Sequence, residues 1–340
     1  MDQDPIQQYY GETLAGSVDL KTGACCSPDA MPKYLRTWLG ELPRSVTDRF
    51  YGCGSPIPSA IEGATVLDLG CGTGRDAFLV SRLVGPAGRV IALDMTPAQL
   101  AIARQAQAPH RELTGLDNLD FRDGRIEDLA SAGIEDASVD VVISNCVLNL
   151  SADKAAVFAE ILRMLKPGGE LYFSDVYADR RIPRALLDDP VLRGECLSGA
   201  LYMEDFRRLL LDQGVADYRI TARSPVPLLD EQIEARIGMV GFESITVRAF
   251  KLDLEDRCED FGQVATYLGS IAHHPHRFVL DDHHTFERDR PVLVCGNTAA
   301  MLADTRYGSH FDVSPRRNHF GLFAACAVPA ADASASGACC

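Results

Sequence analysis

Val66-Leu67-Asp68-Leu69-Gly70-Cys71-Gly72-Thr73-Gly74 decides how this chain is read. An apolar run ends in an acid and is followed by three glycines at alternate positions. That pattern predicts a buried strand turning sharply into a helix. Glycine in such a turn lets the backbone pass close to a bound ligand, where a Cβ would collide. A dinucleotide fingerprint would read G-x-G-x-x-G, with a pyrophosphate on the helix N-terminus. Here Gly70, Gly72 and Gly74 are spaced by one, and Asp68 stands before them. A carboxylate in front of the loop suits a cationic ligand better than a diphosphate.

The stretch resembles motif I of the S-adenosylmethionine-dependent methyltransferases with a Rossmann-like fold. The surrounding rhythm agrees with it. Strands are expected at 65–69, 89–94, 119–121, 139–144 and 170–176. Helices are expected at 74–84, from Thr96-Pro97 to about Leu113, and at 153–165, where Pro167-Gly168-Gly169 stops the last. Strands alternating with amphipathic helices predict a parallel, doubly wound α/β sheet. A further helix at 203–213 and strands near 217–223 and 243–252 would complete seven strands, a class I methyltransferase core. Upstream, Met31 to Leu42 predicts a helix with Trp38 on its apolar face. Beyond the 250s the rhythm is lost, and short strand-like runs suggest a small mixed α/β module. The expected organisation is therefore an N-terminal cysteine-bearing segment at 1–60, the cofactor-binding core at 61–252, the C-terminal module at 253–323, and an Ala/Ser-rich disordered tail at 324–340.

Composition narrows the partners. Asp and Glu number 48 against 33 Lys and Arg, a formal charge of -15 that disfavours nucleic acid and anionic membrane surfaces. No apolar stretch approaches the ~20 residues of a spanning helix. The acidic start, Met1-Asp2-Gln3-Asp4, lacks the apolar run of a secretory signal, so a cytoplasmic monomer is expected. Eleven cysteines are the unusual feature, at 25, 26, 53, 71, 146, 196, 258, 295, 326, 339 and 340. They are too sparse for a disulfide scaffold and include no C-x-x-C, so neither a zinc ribbon nor a thioredoxin-like motif is supported. In a reducing compartment such thiols are buried fillers or chemically used.

In open α/β sheets ligands sit at the carboxyl ends of the strands. Asp94, followed by Met95, ends the second strand, where an acid can hold the two ribose hydroxyls or simply cap the next turn. Ile126 and Glu127 follow the third strand, where methyltransferases contact the adenine; Glu127 can equally be a solvated loop acid. Asn145, past the fourth strand, lies where the methionine part of S-adenosylmethionine would be. Methylation of a hydroxyl or amine needs a base or a metal to free the lone pair. The position after the fourth strand instead holds Cys146, and Cys196 follows the fifth strand, so both map to the cofactor edge. From position alone, two small buried hydrophobes are as good a reading.

Longer motifs separate these alternatives. Tyr9-Tyr10-Gly11, Leu20-Lys21-Thr22-Gly23-Ala24-Cys25, Tyr51-Gly52-Cys53-Gly54, Ser144-Asn145-Cys146-Val147-Leu148-Asn149-Leu150, Gly169-Glu170-Leu171-Tyr172-Phe173-Ser174-Asp175-Val176-Tyr177 and Gly194-Glu195-Cys196-Leu197 closely resemble the arsenite S-adenosylmethionine methyltransferases. The likeness runs from about residue 5 to about 315. It implies that Cys25, Cys53, Cys146 and Cys196 are the functional cysteines, with Cys26 able to substitute for its neighbour. It implies Cys146 and Cys196 as arsenic ligands held through turnover, with Cys53 as a further arsenic ligand. It also implies Cys25 and Cys53 as electron donors passing through disulfide states that a cellular thiol, thioredoxin or glutathione, re-reduces. Arsenite and methylated arsenite would arrive as thiol adducts, and no structural metal is expected. Trivalent arsenic is soft, so thiolates suit it.

Two features stand apart. His273, His274, His276, His283 and His284 form a dense cluster to which the resemblance gives no metal role. Cys339-Cys340 could capture arsenite or be only a thiol-bearing tail. Two other functions compete: an arsenite-binding thiol trap without catalysis, and a carbon- or oxygen-directed small-molecule methyltransferase with accidental cysteines.

Overall fold

The computed structural model describes residues 5–10 and 31–324. Expectations for Cys25, Cys26, Cys326, Cys339, Cys340 and the tail from 325 fall outside those residues. Contacts divide the chain into two compact units, Met1–Leu252 with Val279–Thr285, and Asp253–Phe278 with Phe286–Cys340.

The first unit opens with short helices α1 (Pro5–Gln8), α2 (Lys33–Leu39) and α3 (Arg44–Thr47). Helix α2 ends three residues before the expected Leu42, because Gly40 caps it and Pro43 starts the next turn. There follow β1 (Thr65–Leu69), α4 (Arg75–Val84), β2 (Arg89–Asp94), α5 (Pro97–Thr114), β3 (Leu119–Asp123), β4 (Val139–Asn145), α6 (Lys154–Met164) and β5 (Leu165–Ala178). The unit continues with α7 (Pro190–Gly194), β6 (Leu201–Tyr202), α8 (Met203–Asp212), β7 (Tyr218–Pro225), α9 (Glu231–Ile237) and β8 (Phe242–Phe250).

Seven of these strands lie in the order β3-β2-β1-β4-β5-β8-β7, and the two-residue β6 pairs with β5 as an eighth. The five strands from β3 to β5 run parallel, as the alternation requires. An all-parallel sheet is not what forms. Strand β8 is antiparallel to both β5 and β7. Hydrophobic periodicity places strands but carries no direction, and β8 returns through 226–241 into the slot that β7 leaves beside β5.

Alternation along the central strands divides their side chains between two faces. Leu67, Leu69 and Val142 pack with Val157, Phe158 and Ile161 of α6. Val66, Val141 and Ile143 pack with Ala77, Phe78 and Val80 of α4 and Leu100 and Ala103 of α5. Both strand-to-loop exits at β1 and β4 are thereby held in a rigid core.

After Leu252 come β9 (Glu259–Asp260), β10 (Gln263–Tyr267), β11 (Arg277–Val279), β12 (Thr285–Glu287), β13 (Pro291–Val294), α10 (Gly296–Ala303), β14 (Phe311–Val313) and β15 (Gly321–Leu322), of which Val279 and Thr285 belong to the first unit and the rest to the second. The second unit's three-stranded antiparallel sheet has the order β13-β10-β14, with the Phe278 ring against Tyr267, Tyr307 and Phe311, and Tyr267 against Phe311. Within the histidine cluster, His284 Nδ1 sits 2.8 Å from Asp281 Oδ1, beside Arg219. Among the described residues no three His, Cys, Asp or Glu side chains converge in a way that could hold a metal ion. No described helix is long and apolar enough to cross a membrane.

Candidate active site

A cavity of about 650 Å³ opens at the carboxyl ends of β1, β2 and β4, within the range of small-ligand sites. Its wall includes Asp68, Gly70, Gly72, Asp94, Met95, Ile126, Glu127, Asn145 and Cys146. The glycine loop turns as its sequence demands, with φ of +70° at Gly70, +54° at Gly72 and +85° at Gly74. A Cβ on Gly72 would meet no protein atom within 4 Å, so the chain is bare where it faces the cavity. Gly74 packs instead against Phe121 and Phe78 and does not line the cavity wall.

Asp68 is 3% exposed, and its Oδ2 has no hydrogen-bond partner. Burial, with Asp76 and Asp94 nearby, pushes its carboxyl well above the usual range. A buried carboxylate oxygen without a donor fits a ligand that brings a cationic or hydrogen-bonding group. Asp94 Oδ2 accepts from the Gly72 N–H at 2.8 Å, tying β2 to the glycine loop, and Oδ1 accepts from the Thr96 N–H at 2.8 Å. It therefore caps the following turn and lines the cavity at once. Glu127 is no free loop acid: it accepts from Ser151 Oγ at 2.6 Å and lies 3.5 Å from Arg125. These groups fit S-adenosylmethionine, a cation carrying an ammonium and a ribose diol.

Sequence reasoning placed Asn145 at the cofactor but missed Asp76, its partner in joining this cavity to the cysteines. Asn145 Nδ2 donates to Asp76 Oδ2 and to the Gly54 carbonyl, each at 2.9 Å, while its Oδ1 accepts from the Gly54 N–H at 3.1 Å. Asp76 also accepts from Arg75, whose guanidinium carbon lies 3.0 Å from the Phe50 ring centre. Asp76 reads in the sequence only as an acid in a first helical turn, the ordinary complement to a helix dipole. Its link to Asn145 spans 69 residues.

Cys53 and Cys146 form a disulfide, with Cα atoms 5.8 Å apart. The sequence reading kept Cys146 as a thiolate with Cys196; in this structure its sulfur is bonded to Cys53. Cys196 keeps its thiol, donating toward the Cys146 carbonyl at 3.5 Å. All three sulfurs lie in one apolar cluster with Val176, Ile182 and Leu192. Burial, then the nearby Asp175, pushes the Cys196 thiol up. Cys146 and Cys196 both occupy the left-handed backbone region, with φ of +57° and +59°. Non-glycine residues are held there only when their surroundings over-determine them, as at functional sites. Here the surroundings are the disulfide, the bond from the Cys146 N–H to the Ser174 carbonyl, and the Asn145 clamp. Tyr10 reaches the same corner, donating to the Gly194 carbonyl at 2.7 Å with its oxygen 3.9 Å from Cys196 Sγ. Cys71, inside the glycine loop, lines the cavity with its thiol pushed up by burial.

Asp68 before the alternate glycines after β1, with the acid ending β2 on a doubly wound sheet, places the chain among the class I S-adenosylmethionine-dependent methyltransferases rather than the dinucleotide-binding domains. A model of the methyltransferase domain matches residues 61–214, and a model of the arsenite methyltransferase C-terminal domain matches 261–337. The arsenite methyltransferase of Aquipseudomonas alcaligenes is 49% identical over 325 residues, 95% of this chain and 94% of that protein. The Mus musculus arsenite methyltransferase is 40% identical, covering 91% of this chain and 83% of its own length. The crystal structure of an arsenic(III) S-adenosylmethionine methyltransferase from Chlamydomonas reinhardtii superposes with a TM-score of 0.83 at 48% identity, covering 86% of this chain and all of that one. The chain belongs to the arsenite methyltransferase family.

Proposed function

We propose that this enzyme transfers methyl groups from S-adenosylmethionine to trivalent arsenic held on Cys146 and Cys196. The observation that carries the proposal is the apolar cysteine corner at the rim of the cofactor cavity, where Cys146 belongs to both. The cofactor, when bound, supplies an electrophilic sulfonium methyl. Asp68 takes its ammonium end, Asp94 its ribose hydroxyls, Ile126 and Glu127 flank the adenine, and Met95 and Asn145 complete the wall. Arsenic on thiolates keeps a lone pair that points away from the sulfurs, so no general base is needed. The protein's part is to place that lone pair in line with the methyl in a water-poor pocket.

Methyl transfer leaves arsenic formally pentavalent. The Cys53 thiolate then attacks the arsenic-bound Cys146 sulfur: an S–S bond forms, the S–As bond breaks, and its electron pair stays on arsenic and returns it to the trivalent state. The Cys53–Cys146 bond matches the protein after such a step. A cellular thiol reductant, thioredoxin or glutathione in a cytoplasmic setting, then restores the thiols; Cys25 would take part in the same exchange. Incubation of the enzyme with arsenite, S-adenosylmethionine and a thiol reductant, with arsenic species separated by chromatography, tests this. Methylated arsenicals are expected. Arsenite binding without any methylated product would leave a thiol trap as the correct reading.

A further inference from the structure

Tyr9-Tyr10 and Gly194-Glu195-Cys196 are far apart in sequence and meet at the cysteine corner. Tyr9 donates to Glu195 Oε1 at 2.9 Å, and Tyr10 donates to the Gly194 carbonyl at 2.7 Å. The Tyr9 ring also lies over Gly194, where a Cβ would sit 2.6 Å from a ring carbon. The two tyrosine rings meet edge to face with centres 5.5 Å apart. Their segment is tied from the opposite edge as well. Gln99 Nε2 donates to the Tyr10 carbonyl and Gln7 Nε2 to the Met95 carbonyl, each at 2.9 Å. Tyr10, Met95 and Gln99 all line the cofactor cavity. Cys196 stands at φ +59°, a conformation that a non-glycine residue keeps only under restraint. The bond from its N–H to the Arg193 carbonyl is one restraint, and the tyrosines hold the two residues before it.

We propose that Tyr9 and Tyr10 are positioning residues for Cys196: they clamp Gly194 and Glu195 and so hold its sulfur in place for arsenic, with the Tyr10 hydroxyl facing that sulfur at 3.9 Å. The proposal rests on the reading that Cys196 is an arsenic ligand. Before arsenic binds, the Cys196 thiol donates toward the Cys146 carbonyl and the Tyr10 proton goes to the Gly194 carbonyl. When arsenite binds, an As–S bond forms, and a hydroxide on arsenic leaves as water with the thiol proton. The sulfur then has no proton to donate, and the Tyr10 hydroxyl is the donor beside it. A weak hydrogen bond to the ligand sulfur and a fixed main chain behind it act together on one arsenic ligand, while the cofactor's own contacts are untouched.

The test compares the full-length enzyme, reduced with a phosphine, with the double variant Tyr9→Phe/Tyr10→Phe, which keeps both rings and loses both hydroxyls. Arsenite affinity by equilibrium dialysis, and kcat/KM for arsenite, are expected to fall by about tenfold, as for one or two lost hydrogen bonds. The KM and calorimetric Kd for S-adenosylmethionine are expected to stay within about twofold. A role confined to folding would move both substrates together, so an equal loss for both, or no loss for arsenite, overturns the proposal. Gly194→Ala reaches the clamp from the other side, because its new Cβ meets the Tyr9 ring. It is expected to weaken arsenite binding in the wild-type background and to add nothing once Tyr9→Ala has removed the ring; equal losses in both backgrounds overturn the clamp. Iodoacetamide alkylation of Cys196 without arsenic, followed by mass spectrometry, separates the two readings. If Cys196→Ser keeps wild-type arsenite affinity, the ligand assignment fails and alkylation alone decides the clamp: faster modification in the double variant supports it, and an unchanged rate overturns it.

Discussion

Asp76 Oδ2 accepts a hydrogen bond from Asn145 Nδ2 at 2.9 Å, and through that amide the floor of the cavity is joined to the loop that carries Cys53. Asp76 is buried at 6% exposure. Removing it takes away one of the two acceptors of the Asn145 amide and loosens that side chain's hold on Gly54. Asp76→Ala is expected to weaken S-adenosylmethionine binding and to slow methylation by about tenfold or more, the worth of one lost buried charge-assisted hydrogen bond. Calorimetric titration and turnover measurements check both. Retained affinity and rate would show that Asn145 holds its place unaided.

Cys146→Ser and Cys196→Ser are expected to abolish arsenic methylation while leaving S-adenosylmethionine binding within about threefold of wild type, since a hydroxyl replaces a thiol without emptying space and is a poor ligand for a soft centre. Arsenic product analysis beside cofactor titration distinguishes this from misfolding. Methylation of arsenite persisting in both variants would remove the cysteines from the reaction.

Gly54 lies against the Ser174 side chain so closely that any Cβ would overlap Ser174 Oγ and Cβ. Ser174 is itself buried and bonded to Thr246 at 2.8 Å, so it cannot yield. Gly54→Ala is expected to cost about 1–3 kcal/mol of stability by overpacking, read as a lower denaturation midpoint in urea. Gly63, at φ +75° with open space around it, tests backbone conformation without overpacking.

Glu170 and Arg248 form an ion pair within the β5–β8 ladder, with side chains 0% and 3% exposed, and Arg248 also donates to the Leu280 carbonyl. Breaking a buried pair from one side leaves an uncompensated charge, so Glu170→Ala is expected to destabilise by about 3–5 kcal/mol. Equilibrium unfolding measures it. The double replacement by apolar residues should recover most of the loss.

His110 on α5 is held down to about 4, by burial and then by Arg82. Its Nε2 lies 3.0 Å from Ser81 Oγ, and its Nδ1 is buried without a partner. The folded protein keeps the ring neutral, whereas the unfolded chain protonates it near the ordinary value. Below about pH 6.5 the unfolded state therefore binds more protons, and stability falls until the folded ring also titrates. Partial solvent screening holds this share to about 1–2 kcal/mol. His110→Gln should flatten the stability profile between pH 6.5 and 5; an unchanged slope would refute the assignment.

The glycine loop, the acid ending β2, the five parallel strands and the family motifs were all legible, because each is a local signal. Apolar periodicity marks burial, and alternate glycines mark a turn that only glycine makes without strain. Strand direction at β8 was not legible, since period 2 is the same in either direction. Nor was Glu127's engagement by Ser151, or the reach of Tyr10 to the Cys196 corner, both made by residues distant in sequence.

Asp68 to Gly74 was determined by sequence alone: its residue types dictate a tight turn with an acid before it, whatever else the chain does. The pairing of Cys53 with Cys146 was decided only by tertiary structure, across 93 residues. Eleven cysteines allow many bonds, and no spacing selects among them. The sheet does, by setting the end of β4 against the loop that Asn145 and Ser174 hold, so that two buried positions meet beside the cofactor cavity.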